Sequence, residues 1–229
     1  MINTESPVLE SVQAIGLDRV PSVAHNLSYD ELFEIETASD REGWEQGHET
    51  ALGAVSIDTG SYTGRSPKDK YVVKDSKTES SIWWSEQGSD NQPISQDTWE
   101  ILKERSVDQL NGKKLYVMDG FCGANPSTRL SVRLVTEVAW MAHFFKNMFI
   151  RPTEEELANF KPDWTILNAC KTSLGDYEAL GLRSGTYVAF NVTERMTVIG
   201  GTWYAGEIKK SIFSVMNYLF PQQEVLSMH

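Results

Sequence analysis

Residues 187–219 read YVAFNVTERMTVIGGTWYAGEIKKSIFSVMNYL, and this stretch decides the fold. Two short apolar runs, 187–192 and 196–199, flank a polar turn and predict a strand hairpin. Gly200-Gly201 ends the second strand, and apolar residues then recur at helical spacing. The apolar positions of this helix are Ile208, Ile212, Met216 and Leu219. A hairpin that leads directly into a helix is typical of a mixed α/β sheet rather than a purely parallel one.

The rest of the chain repeats this alternation of strands and helices. A second hairpin is predicted from the apolar runs 115–122 and 129–136. Further strands are predicted at 51–58, 70–74 and 164–169, and helices at 29–35, 95–110 and 137–148, with capping boxes at Ser28 and Thr153. The polar segment 75–94 is predicted to be irregular, and 225–229 to begin a strand. We therefore expect an α/β fold with a mixed β-sheet and flanking helices, in one domain spanning residues 1–229.

Composition and charge exclude several classes of protein. With 40% hydrophobic and 23% charged residues, the chain is expected to be globular rather than disordered. The net charge of −11 argues against binding to nucleic acid or to an anionic membrane surface, since both would be repelled. Net charge does not describe a cleft, so a local cationic pocket for a small anion stays open.

The two cysteines and the N-terminal residues bear on the compartment. Cys122 and Cys170 form no C-x-x-C pair, which excludes a zinc ribbon and a thioredoxin-like motif, and both thiols are expected in the core. Residues 1–20 lack the basic start and apolar run of a signal peptide. No stretch approaches the roughly 20 apolar residues that span a bilayer. We expect a reduced, cytoplasmic protein with no membrane partner.

Two segments are candidates for chemistry. The first is GSYTGRSPKDK at 60–70, where glycines let the backbone approach a ligand and Arg65 offers a planar fork for carboxylate or phosphate. A basic surface turn is the alternative interpretation of that segment. The second is GGTWYAGEIKK at 200–210, which predicts a strand, a glycine loop and a helix start, the arrangement in which anions bind helix N-termini.

The second segment is not a P-loop. Glu207 stands where that motif requires lysine, and no other part of the 229 residues fits G-x-x-x-x-G-K-[ST]. Lys209 and Lys210 point about 100° apart on a helix, so they either flank one cleft at the helix edge or are two solvated lysines. From its position alone, His229 is only the last residue of the chain.

Several long motifs together resemble one known family. They are YTGRSPKDKY at 62–71, FCGANPSTRLSVR at 121–133, HFFKNMFIRPTEEEL at 143–157, FKPDW at 160–164, GGTWYAGEIKKSIFSVMNYLFP at 200–221 and SMH at 227–229. From Tyr29 onward, the chain resembles the N-terminal part of the ATP-dependent phosphoenolpyruvate carboxykinases. The resemblance implies that family's N-terminal-domain fold and the conversion of oxaloacetate and ATP to phosphoenolpyruvate, ADP and CO₂ in gluconeogenesis, with Mg²⁺ and Mn²⁺.

The resemblance also implies roles for individual residues. Arg65 corresponds to the arginine that binds the substrate carboxylate and the neighbouring CO₂, and Tyr204 to a tyrosine that lines the same site. Lys210 corresponds to a lysine that ligates Mn²⁺ through a neutral amine and approaches substrate and the γ-phosphate, with Lys209 as its cationic neighbour. His229 corresponds to the histidine that ligates the same Mn²⁺ and contacts the nucleotide phosphate.

The chain departs from the family in length. Enzymes of the family continue into a nucleotide-binding domain with a P-loop, metal-binding aspartates and a second substrate arginine. We therefore expect residues 1–229 to form the substrate-side domain, with weak or absent binding of ATP and metal and no turnover alone. The alternative is a stand-alone, non-catalytic module that binds phosphoenolpyruvate or a dicarboxylate, or pairs with a separate C-terminal chain. An uncovered apolar face at the C-terminal end is expected to promote self-association.

Overall fold

The main element of the structure is an eight-stranded sheet. A computed structural model describes residues 7–227 of the chain. The strands are β1 (Ser22–His25), β2 (Gly47–Glu49), β3 (Val55–Ile57), β4 (Lys70–Val73), β5 (Gln92–Ile94), β6 (Lys114–Cys122), β7 (Leu130–Thr136), β8 (Trp164–Ala169), β9 (Tyr187–Asn191) and β10 (Met196–Gly200). The sheet order is β1-β6-β7-β8-β10-β9-β4-β5, and β2 and β3 form a separate antiparallel pair.

Both predicted hairpins are confirmed. β6 pairs antiparallel with β7, and β9 pairs antiparallel with β10. β8 lies between the hairpins and is parallel to both β7 and β10, so the expected mixed sheet is confirmed. Because β8 and β10 run in the same direction, their carboxyl ends meet at one edge of the sheet. The glycine loop that follows β10 starts at that edge.

The helices follow their local start signals. They are α1 (Pro7–Gln13), α2 (Tyr29–Glu36), α3 (Gln96–Leu110), α4 (Ala139–Met148), α5 (Glu154–Ala158) and α6 (Gly206–Leu219). The predicted capping box at Ser28 is present, since its hydroxyl accepts the Glu31 amide and the Glu31 carboxylate accepts the Ser28 amide. The capping box at Thr153 is present in the same form at the start of α5.

Apolar side chains cover both faces of the sheet. Along β10, Val198 and Ile199 are fully buried in two different clusters, because successive strand residues point to opposite faces. α4 and α6 pack in the cluster that contains Ile199, and α3 packs in the one that contains Val198. Within residues 7–227, no helix combines the length and the apolar character that crossing a membrane requires.

Three expectations about elements are wrong in part. The strand predicted at 51–58 is reduced to β3, because residues 50–53 form a turn with Gly53 at φ +76°. The segment 75–94 ends in β5, an edge strand in which Pro93 is tolerated. Residues 225–227 have no regular structure, and the last two residues of the strand predicted there lie outside the described range.

Candidate functional site

Two glycines in the connection between β10 and α6 have no space for a side chain. Gly201 has φ +63°, and a Cβ there would overlap the Gly185 carbonyl oxygen. A Cβ on Gly206, the first residue of α6, would overlap the Tyr204 ring. The phenol of Tyr204 therefore lies directly against the start of α6, and only glycine at position 206 leaves space for it.

The loop at 60–70 docks on this helix start. The Ser66 amide donates a hydrogen bond of 2.8 Å to Glu207 Oε1 in the first turn of α6. The Ser66 hydroxyl donates to the Asp69 carboxylate. A short 3₁₀ helix, Pro67–Asp69, then leads into β4. The two segments that the sequence marked as candidates are therefore in direct contact, although 141 residues separate the bonded pair.

A block of aromatic rings supports the other end of the loop. The Trp44 ring lies 5.9 Å from Tyr62 and 5.5 Å from Trp203, measured between ring centroids. Trp140 Nε1 donates to the Trp44 carbonyl oxygen at 2.9 Å, and its ring stacks on Trp203 at 6.4 Å. A Cβ on Gly60 would overlap the Trp44 ring, so the loop starts in close contact with the block. These contacts hold the loop against the residues that precede α6.

An open cleft of about 400 Å³ lies between the loop and the start of α6. Its lining combines polar groups from the loop and from α6 with an apolar wall from α4: Thr59, Tyr62, Thr63, Tyr204, Ala205, Gly206, Lys209, Trp140, Phe144 and Met148. Phenol and ammonium donors on one side and an apolar wall on the other suit a small anion.

The predicted site residues are distributed unevenly around this cleft. Tyr204 and Lys209 line it, and Arg65 is exposed next to the anchored Ser66. Lys210 is half-buried, and its Nζ lies 4.7 Å from the centroid of the Phe213 ring, a cation–π contact away from the cleft lining. His229 lies outside the described residues.

The charges around Ser66 influence one another. Burial raises the pKa of Glu207, while the Ser66 amide and the Arg65 guanidinium oppose that rise. Burial lowers the pKa of Lys70, and repulsion from Arg65 lowers it further, while Asp90 and Glu207 act in the opposite direction. Arg65 therefore lies within electrostatic reach of both Glu207 and Lys70, at the junction of the loop with α6.

Comparison with known proteins decides the family. A family model described as phosphoenolpyruvate carboxykinase, of the ATP type, matches residues 21–229. The chain belongs to the phosphoenolpyruvate carboxykinase family. The match includes the loop, the glycine connection and α6, so the cleft is built from segments that belong to the family's pattern. Members of the family are lyases that use ATP and, in general, divalent metal ions.

The described residues do not by themselves fit a divalent metal site. Within residues 7–227, no group of three or more His, Cys, Asp and Glu side chains is arranged to hold a metal ion. Lys210 offers a single nitrogen, and it lies over the Phe213 ring. A single amine is a small part of the ligand set that a divalent metal ion takes in proteins.

Three residues of the site were missed by sequence reasoning. Ser66 and Asp69 were only parts of a polar loop, and Glu207 was noted only as a residue that breaks the P-loop pattern. The available signal was an acidic residue in the first turn of an apolar helix, directly before the two lysines. Such a residue suits the helix dipole, and it is also placed to accept hydrogen bonds from a neighbouring loop.

Proposed function

We propose that the loop at 60–70 and the start of α6 bind oxaloacetate and phosphoenolpyruvate in a carboxykinase reaction. The observation that supports this most is the 2.8 Å hydrogen bond between Ser66 and Glu207, which joins the segment carrying Arg65 to the helix carrying Lys209. Tyr204 and Lys209 line the cleft beside that contact. The family match supports the reaction type.

The proposed roles follow from the chemistry of each side chain. When oxaloacetate loses CO₂, the electrons of the breaking C–C bond form an enolate, whose oxygen then attacks the γ-phosphorus of ATP and releases ADP. We assign the substrate carboxylate to Arg65, because a guanidinium binds carboxylate through two parallel hydrogen bonds. Tyr204 donates its phenolic hydrogen to the same anion. Lys209, which lines the cleft, supplies positive charge for the enolate, which fixed cations stabilise more than bulk water does, while a catalytic role for Lys210 stays a prediction.

The nucleotide is assigned to polypeptide outside these residues. The 229 residues contain no G-x-x-x-x-G-K-[ST] segment, so they offer no P-loop for the phosphates of ATP. We therefore propose that this chain alone binds the substrate anion without measurable turnover. Ligation of Mn²⁺ by Lys210 and His229 stays a prediction, as do the cytoplasmic location and self-association.

The test is a binding measurement on the 229-residue chain. We expect calorimetry to detect phosphoenolpyruvate binding, and Arg65→Gln to weaken it by about tenfold or more, which is about 1.4 kcal/mol. Arg65→Lys keeps the charge but loses the planar fork, so its affinity is expected to fall between the two. Arg19→Gln is the matched control, since Arg19 is an exposed arginine paired with Asp108 on α3. An undiminished affinity in Arg65→Gln would overturn the assignment.

A further inference from the structure

Both hydrogen-bond donors of Ser66, the amide and the hydroxyl, are held by buried carboxylates. Its amide donates to Glu207 at 2.8 Å, and its hydroxyl donates to Asp69. Glu207 is 6% exposed and Asp69 is 2% exposed. Side chains this buried have little freedom to follow a moving loop, so the residue between them is fixed in place. We call this arrangement the Ser66 clamp.

The Asp69 side of the clamp is itself anchored in the fold. Asp69 Oδ1 accepts a long hydrogen bond of 3.4 Å from the Tyr71 hydroxyl on β4, and Arg183 Nη1 lies 3.8 Å from Asp69 Oδ2. The same Tyr71 hydroxyl accepts the Arg183 amide at 2.9 Å. The Asp69 carboxylate is therefore fixed by its contacts with Tyr71 and Arg183. Its hydrogen bond with Ser66 joins residues at the base of the loop.

The Glu207 side reaches across the molecule. Glu207 belongs to the first turn of α6, three residues after Tyr204 and two before Lys209. Its contact with Ser66 therefore sets the position of the loop relative to the two cleft residues. Ser66 directly follows Arg65 and directly precedes Pro67, whose ring restricts the backbone further. Fixing the Ser66 amide leaves the Arg65 side chain free to rotate but fixes the position of the Arg65 backbone.

From this geometry we infer that Glu207 is a positioning residue, which fixes the backbone next to Arg65 relative to Tyr204 and Lys209 by holding the Ser66 amide. The anchoring of the loop by Glu207 does not depend on the proposed function. Its expected effect on substrate binding does rest on the proposed function. The carboxylate is not assigned a contact with substrate. An anion would be repelled by it, and its Oε1 oxygen already accepts the Ser66 amide.

Variants at position 207 separate hydrogen bonding from charge. Glu207→Gln keeps an oxygen that can accept the Ser66 amide and removes the negative charge. Glu207→Asp keeps the charge but is one methylene shorter, so it withdraws the oxygen from a 2.8 Å contact. Glu207→Ala removes both. If Glu207 acts by holding the Ser66 amide in position, Glu207→Gln is expected to behave like the wild type and Glu207→Asp like Glu207→Ala.

The experiment uses two readouts on the full chain. The first is the rate of trypsin cleavage after Arg65, measured under native conditions, which reports opening of the loop without any ligand. We expect Glu207→Ala and Glu207→Asp to raise this rate about tenfold, and Glu207→Gln to leave it within about threefold of the wild type. The second is the dissociation constant for phosphoenolpyruvate, expected to rise about tenfold in Ala and Asp and to stay near the wild-type value in Gln. Glu104→Ala, an exposed glutamate on α3, is the control for both.

The two readouts distinguish the possible failures. Unchanged cleavage in both Ala and Asp overturns the positioning role. Loss of binding in Gln also overturns it, because charge rather than position would then be required. Faster cleavage in Ala and Asp together with no phosphoenolpyruvate binding in the wild type supports the clamp and overturns the proposed function instead. If Glu207→Ala does not fold, the comparison of Glu207→Asp with Glu207→Gln is sufficient to test the inference.

Discussion

At the residue scale, the cleft depends on the absence of a side chain at Gly206. The Tyr204 ring occupies the space that a Cβ at this position would need. Gly64, in the candidate loop, has open space around it. Two glycines of the same site therefore differ sharply in what they require of their neighbours.

Replacing Gly206 is expected to displace Tyr204. In Gly206→Ala the added methyl group forces the phenol away from its position, so phosphoenolpyruvate binding should weaken by about tenfold. Alanine is also a better helix former than glycine, so the loss of binding should not be matched by an equal loss of stability. Calorimetry and thermal unfolding of the same samples measure the two effects.

Gly64→Ala is the matched control for that substitution. It adds the same methyl group to the candidate loop without a clash. Both affinity and melting temperature should remain near the wild-type values. Equal affinities in Gly206→Ala and Gly64→Ala would contradict the assigned role of Tyr204.

Sequence reasoning at this scale proposed the cations and missed the carboxylates that hold the loop. Arg65, Tyr204 and Lys209 stand in motifs whose resemblance to the family assigns them a role. The function of Glu207 depends on a partner 141 residues away, and no local pattern contains that partner. Long-range contacts of this kind become visible only when the fold is known.

At the element scale, a buried ion pair joins three strands. Asp119 on β6 accepts hydrogen bonds of 2.7 Å from both Nε and Nη2 of Arg133 on β7. His25 Nε2 on β1 lies 2.8 Å from Asp119 Oδ2. Burial alone would raise the pKa of Asp119, but the hydrogen bonds from Arg133 and His25 outweigh it, and the pKa is lowered. The edge strand β1 is tied to the sheet through this carboxylate.

The lowered pKa of Asp119 predicts a dependence of stability on pH. Because the folded pKa lies below the unfolded one, the stabilisation is present above the unfolded pKa of about 4 and is lost as pH falls through the folded value. Each unit of difference is worth about 1.4 kcal/mol in the free energy of unfolding. Urea unfolding between pH 7 and pH 3 measures this loss.

Asp119→Asn is expected to remove this pH dependence and to destabilise the protein. Leaving the buried Arg133 without its carboxylate should cost about 3–5 kcal/mol at pH 7. Glu34→Gln, at an exposed position of α2, should keep the wild-type stability and pH profile. An Asp119→Asn profile that parallels the wild type between pH 5 and pH 3 would show that another group governs acid unfolding.

Elements with strong local signals were predicted well, and those without them were not. The capping boxes at Ser28 and Thr153 use residues three apart, and both are present. β5 is three residues long and contains Pro93, so nothing local distinguishes it from a loop, and only its pairing with β4 makes it a strand. The helix α1 and the strand β1 were likewise not predicted, because both are short.

At the scale of the whole molecule, strand order creates the site. β8 separates the two hairpins, so β10 is an interior strand whose carboxyl end lies beside that of its parallel neighbour β8. Alternating strands and helices predicted a mixed sheet, but the order of the strands depends on which surfaces pack best and cannot be read from spacing. The net charge of −11 likewise gave no indication that Lys209 lines a cleft.

The central claim is that Arg65 and Tyr204, from segments far apart in the sequence, act on the same bound anion. A double-mutant cycle on phosphoenolpyruvate affinity tests it most directly, using Arg65→Gln, Tyr204→Phe and the double variant. Side chains that share a ligand are expected to couple by more than about 0.5 kcal/mol, so the double variant should lose less affinity than the sum of the single losses. Losses that add within about 0.3 kcal/mol would show that the two residues act independently, and would contradict the account.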